Sequence, residues 1–155
     1  PHLAAALEKK EIKKDKIITA FKKLTDNFEF IIVEGSGGLF VPINESTLLI
    51  DIVKELDLPV LLVSANKLGA INHTLLSVEA LQTRGLTLES IIFNNINPEA
   101  DRKIIEDNKK IVSTFVKTVD IFSISYSDNL DILYNEFIAN GSSFLRRLVN
   151  EIRLG

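Results

Sequence analysis

Three short segments of this 155-residue chain place groups capable of chemistry directly after apolar runs. The first is Val33-Glu34-Gly35-Ser36-Gly37-Gly38. A lone carboxylate at the tip of a buried strand is a position from which nucleotide-binding α/β proteins hold magnesium. Glycines behind it let the backbone approach a ligand closely. A plain glycine turn with a solvated glutamate accounts for the same residues. The second segment is Lys67-Leu68-Gly69-Ala70-Ile71-Asn72-His73. A helix opening after Gly69 offers unpaired N–H groups and a positive dipole end to a carboxylate or phosphate. The alternative makes Asn72 an ordinary helix cap, Lys67 a loop cation and His73 a surface histidine. The third is Phe93-Asn94-Asn95-Ile96-Asn97-Pro98. The Asn94 amide presents a donor and an acceptor, which matches a purine edge. Turn chemistry uses asparagine equally well, and Asn97 is best explained that way.

Several chemistries are excluded. Cysteine is absent, which removes disulfides, zinc–thiolate sites and a cysteine nucleophile, and two histidines are too few for most imidazole-based metal clusters. The formal charge of −3 argues against a general nucleic-acid binder, which needs a basic face. No apolar run approaches the roughly 18 residues of a membrane helix. No glycine precedes a Lys-Ser or Lys-Thr pair, so the phosphate-cradling P-loop motif does not occur in this sequence. A first residue of Pro1 and the lack of any methionine lead us to expect a segment of something longer.

The elements that must position these segments follow from hydrophobic periodicity. Asp15 is expected to cap a helix carrying Ile17, Ile18, Phe21 and Leu24. Phe28 to Glu34 reads as a strand, apolar on both faces near its end, which suits a parallel sheet covered on both sides. A short helix is expected from Thr47 with Leu48, Leu49, Ile52, Val53 and Leu56 inward. A second buried strand follows over Val60–Ser64, then a helix from about Asn72 to Arg84 stopped by Gly85. Ser90–Asn94 is a third strand. Asn97-Pro98-Glu99 supplies cap, first-turn proline and first-turn acid for a helix reaching about Phe115. Val119–Ile124 is a fourth strand, and helices around Asp131–Ile138 and Ser142–Ile152 close the chain. Strands alternating with helices imply one three-layer α/β domain with a mostly parallel sheet, which binds ligands beyond the carboxyl ends of its strands.

Together the segments resemble a known family. The run from Phe30 to Pro42 is similar to the signature of dethiobiotin synthetases. The same family continues with a helix, a Leu-Pro-Val strand (here Leu58-Pro59-Val60), a segment like Lys67 to Leu76, and an arm like Leu81 to Leu86 leading into Phe93-Asn94-Asn95. The resemblance runs from Pro1 to about Ile124.

It implies a P-loop NTPase-like fold, of which this chain is the C-terminal two-thirds. It also implies an ATP-dependent cyclo-ligase of biotin synthesis. The family turns 7,8-diaminononanoate and carbon dioxide into dethiobiotin with release of ADP and phosphate: an amine forms a carbamate, ATP phosphorylates it, and the second amine closes the ring. By motif position Glu34 would be a magnesium ligand, Gly37 would lie against the diamine, and Asn94 would read the adenine. Gly69, Ala70, Ile71 and Asn72 would hold the substrate carboxylate, donated across a homodimer. The family's P-loop and catalytic lysines lie upstream of the matching residues, so no catalytic residue is expected within this chain. A cytoplasmic protein with no nucleic-acid or membrane partner is expected. A related amidoligase of the cobyrinate-synthase type and a non-catalytic dimerisation module of the same fold are the competing readings. The Lys-Leu-Gly-x-Ile-Asn-His segment weighs against the first.

Overall fold

A computed structural model describes residues 1–154, with side chains placed through 150. Two compact units share the chain, Pro1–Leu58 and the residues from Pro59 onward.

The first unit holds three helices, α1 (His2–Leu7), α2 (Lys14–Thr25) and α3 (Leu49–Leu56). The α2 helix is capped by the backbone of Lys13, and Asp15 lies one position inside its first turn rather than at the cap. There its carboxylate faces the positive helix end without closing an amide. Lys14 reaches Glu55 of α3 at 2.6 Å, and the Asn44 side-chain amide donates to Ile12 O at 2.9 Å. These contacts tie α2 to α3 and to the turn before it. The hydrogen bond to Glu55, and then its charge, hold the Lys14 ammonium above the usual lysine range. Helix α3 begins two residues later than its sequence suggests, because residues 43–47 close a turn first: Ile43 N donates to Thr47 O at 2.8 Å. Asp51 then accepts from Leu48 N at 2.9 Å, and Ile43, Ile50 and Ile52 are buried.

The strand expected over Phe28–Glu34 does not form; residues 30–35 have no regular secondary structure. Ile32 is 82% exposed, and Phe28, Phe30 and Val33 are also exposed. An apolar run creates only a capacity to pair. A strand exists when a neighbour completes its hydrogen-bond ladder, and among the described residues none does so here.

The second unit is a three-stranded parallel sheet in the order β1 (Val60–Ala65), β2 (Leu88–Asn94), β3 (Asp120–Ile124). Helix α4 (Ala70–Thr83) connects the first pair and α5 (Arg102–Phe115) the second. Side-chain alternation sorts each strand between two faces. Ile91 and Phe93 form one core with Ala70 and Val78 of α4 and with Val112 and Val116. Ile92 and Phe122 are buried on the opposite face, where the Phe122 ring meets Phe137 edge-on at 5.9 Å between centroids. Phe137 belongs to α6 (Leu130–Asn140), which is followed by α7 (Ser142–Leu154). Helices on both faces of one parallel sheet make three layers, as the alternation of elements requires.

Several boundaries differ from expectation. β1 is half-buried rather than buried throughout: Leu62 and Ser64 turn inward while Val63 is 55% exposed. β1 lies at the edge of this sheet, and its second face finds no cover there. The α4 helix ends as expected, with Gly85 N donating to Gln82 O and Leu86 N to Leu81 O, both at 3.0 Å. Helix α5 starts at Arg102, because Asp101 rather than Asn97 caps it by accepting from Lys103 N at 2.8 Å. Asn97 instead closes a separate turn through Glu99 N at 3.0 Å. Two Asx-type caps compete within five residues, and the one adjoining the apolar stripe Ile104, Ile105, Ile111 and Val112 opens the helix.

Candidate functional site

In the first unit Glu34 is exposed, and its carboxylate has neither an ion pair nor a hydrogen bond within that unit. It rims an open apolar cleft lined by Ile17, Phe21, Ile31, Val33 and Leu56. A free carboxylate at the head of a glycine loop fits the way Mg²⁺ is usually held, through one or two carboxylates with waters and phosphate oxygens completing the shell. The glycines that follow also have local reasons to be glycines. A Cβ at Gly35 would stand 2.6 Å from Leu49 Cδ2. Gly37 has φ +83°, and a Cβ there would meet Val41 Cγ2 at 2.9 Å. Among the described residues no three His, Asp or Glu side chains converge as a metal cluster.

In the second unit the carboxyl ends of β1 and β2 are joined. Asn66 N donates to Asn94 O at 2.8 Å, which extends the ladder one residue past the strands, and Asn95 N donates to Ile124 O at 3.0 Å. The Asn94 side chain is half-buried and takes no hydrogen bond within the unit, so its amide is available to a ligand.

Past Asn66 the chain runs through exposed Lys67, Leu68 and Gly69 into α4, which starts at Ala70 rather than near Asn72. Gly69 is the N-cap at φ +87°, a conformation costly for any residue with a Cβ, and nothing lies within 4 Å of where that Cβ would be. The Ala70 amide already donates to Lys67 O at 3.0 Å, and its side chain is in the core. The amides of Gly69, Ile71 and Asn72 have no partner within the unit, leaving three donors at the positive end of a 14-residue helix. His73 is exposed and Asn72 lies inside the first turn, so neither caps the helix.

Two residues that shape this end of the sheet escape the sequence reading. Asn66 and Asn108 are 1% and 3% exposed and are bonded to each other at 2.8 Å. The signal for Asn108 lies in its position: it falls three and four residues from Ile105 and Ile104, and again from Ile111 and Val112, on the buried stripe of α5. A polar residue there needs a partner, but periodicity cannot say which.

A parallel sheet whose strand ends carry free amides and a helix N-terminus defines a ligand-binding α/β protein, and comparison with known proteins places it. The chain belongs to the AAA domain family, whose family model matches residues 1–122. It is 41% identical over 146 residues to the ATP-dependent dethiobiotin synthetase of Clostridium perfringens, an alignment covering 86% of this chain and 63% of that protein. A protein of the same name from Methanococcus vannielii is 42% identical over 115 residues, covering 74% of this chain and 54% of its own. That of Lysinibacillus sphaericus is 34% identical over 151 residues, covering 96% and 62%. The chain thus spans just over half to three-fifths of the length of the curated relatives it matches.

Proposed function

We propose that the whole protein is an ATP-dependent dethiobiotin synthetase. It carboxylates 7,8-diaminononanoate with carbon dioxide and closes the ureido ring at the expense of ATP. The observation that carries this reading is identity near 40% to synthetases of that name across most of the chain, with Glu34–Gly38, Lys67–His73 and

Within this chain the roles divide by unit. Asn94 reads the adenine edge, since its amide is free and presents both a donor and an acceptor. The Gly69, Ile71 and Asn72 amides hold the diamine's carboxylate, aided by the α4 dipole. Ala70 contributes the tight turn rather than a donor. Gly37 keeps its backbone bare where the diamine lies. Glu34 holds Mg²⁺, which neutralises charge on the transferring phosphate when bound. The phosphate cradle and its lysines are not among these 155 residues, so tests of turnover use the whole protein. A homodimer in which α4 of one subunit completes the partner's site, located in the cytoplasm, completes the proposal. Among the described residues no helix is long and apolar enough to cross a membrane.

The test is direct. Purified whole protein with ATP, Mg²⁺, bicarbonate and the diamine should release ADP only when the diamine is present, with dethiobiotin identified by mass. Diamine-independent ATP hydrolysis without that product would overturn the assignment.

A further inference from the structure

The ends of β1, β2 and α5 are bound together by a chain of amides of fixed polarity. Asn108 Nδ2 donates to Lys67 O at 3.0 Å and to Asn66 Oδ1 at 2.8 Å. Asn66 Nδ2 donates to Ile105 O at 3.2 Å and to Asn95 Oδ1 at 2.8 Å. A main-chain carbonyl can only accept. Lys67 O therefore forces Asn108 to turn its amino group inward, and Ile105 O does the same for Asn66. Flipping either amide would set carbonyl against carbonyl in a buried place, where an unmade hydrogen bond is expensive. Three side chains separated by 29 and 42 residues thus have one self-consistent arrangement.

This chain of amides touches both loops at issue. Through Lys67 O and the Asn66 backbone it holds the approach to Gly69 and the open end of α4. Through Asn95 Oδ1 and the bond from Asn66 N to Asn94 O it holds the segment carrying the free Asn94 amide. A hydrophobic residue at 66 or 108 would fill the space but could not fix one loop against the other. We infer that Asn66 and Asn108 are positioning residues that register the base-reading loop against the carboxylate-binding helix end, an inference that rests on the roles proposed above for those loops. Neither touches a substrate. Their effect is to preset two binding elements, and small misplacements of such elements are costly.

The experiment compares Asn108→Asp and Asn108→Leu with Val112→Ala in the whole protein. Val112 is fully buried one turn further along α5 and touches none of the amides, so its truncation matches a general loss of stability. The expected result is a rise of roughly tenfold in KM for both ATP and the diamine in the Asn108 variants, with kcat within about twofold. Val112→Ala should move neither KM by more than about twofold despite a similar fall in Tm. If Asn108→Leu does not fold, Asn95→Ala cuts the same chain of amides at its half-exposed end and should raise the same two constants. Equal KM changes in Val112→Ala would overturn the inference, as would unchanged KM values in both Asn108→Asp and Asn95→Ala. Calorimetric titration with ATP separates the two readings. A wild-type protein that binds ATP but makes no dethiobiotin overturns the proposed reaction alone, and the ATP Kd of Asn108→Asp then decides the positioning role. No ATP binding by the wild type overturns both.

Discussion

Ser64 Oγ on β1 lies 2.8 Å from Thr74 Oγ1 on α4, and the threonine is 2% exposed. This hydroxyl pair fastens the helix to the strand one turn past the open amides at Gly69, Ile71 and Asn72. It lies on the sheet face where the rest of the contact is apolar. Each hydroxyl is the other's only side-chain partner, so removing one leaves the other buried and unpaired.

Thr74→Val should therefore destabilise the fold by about 1–3 kcal/mol, the cost of an orphaned buried hydroxyl. Ser64→Ala should act in the same direction. The double variant should lose clearly less than the sum, because no orphan remains. Urea denaturation of the four proteins gives the coupling, and strict additivity would show that the pair does not act as a unit.

Gly69→Ala separates backbone strain from crowding. Nothing would contact the added methyl, yet φ +87° is unfavourable for an L-residue. The expected loss is about 1–2 kcal/mol, read as a lower denaturation midpoint. In the whole protein Gly69→Val should also raise KM for the diamine and leave that for ATP nearly unchanged. An equal rise in both would remove the carboxylate role from this loop.

For Glu34→Gln the expectation is the reverse pattern. An exposed carboxylate without partners in its unit contributes little to folding, so stability should stay within about 0.5 kcal/mol. Turnover at limiting Mg²⁺ should fall by roughly tenfold or more, equivalent to about 1.4 kcal/mol of lost cation binding. Activity titrated against Mg²⁺ checks this, and an unshifted curve would rule out Glu34 as the ligand.

Tyr126 donates its phenol proton to Asp128 Oδ1 at 2.9 Å. That hydrogen bond, and then the carboxylate's charge, raise the phenol above its ordinary value of 10.0. A group whose folded pKa is raised stabilises the fold below its unfolded value and loses that contribution as pH climbs through the folded one. The effect is thus confined to pH above 10. Ultraviolet titration should show one tyrosine ionising later than a free phenol, and Asp128→Asn should bring it back down.

Much of the second unit was legible in the sequence. Val60–Ala65, Leu88–Asn94 and Asp120–Ile124 are short apolar runs between turn signals, and Gly85 marks the end of α4 by local chemistry alone. These features depend on residues within a few positions of one another, so a linear reading reaches them. The choice between Asn97 and Asp101 as the cap of α5 lay at the limit of such reading. Both can close an Asx turn, and packing of the apolar stripe decided between them. Phe28–Glu34 lay beyond it: its residues specify a capacity for strand, but a ladder is a property of two segments, and only the tertiary structure shows whether the second is in place. The same holds for Asn66, Asn95 and Asn108. Each alone is an asparagine suited to a turn or a surface, and what orients them is a set of hydrogen bonds spanning up to 42 residues. The sequence by itself determined the order of the second unit's elements and the places where ligands could bind. The tertiary structure decided which polar groups are spent on one another and which remain free, because a hydrogen bond depends on the distance between atoms and not on the residues that separate them.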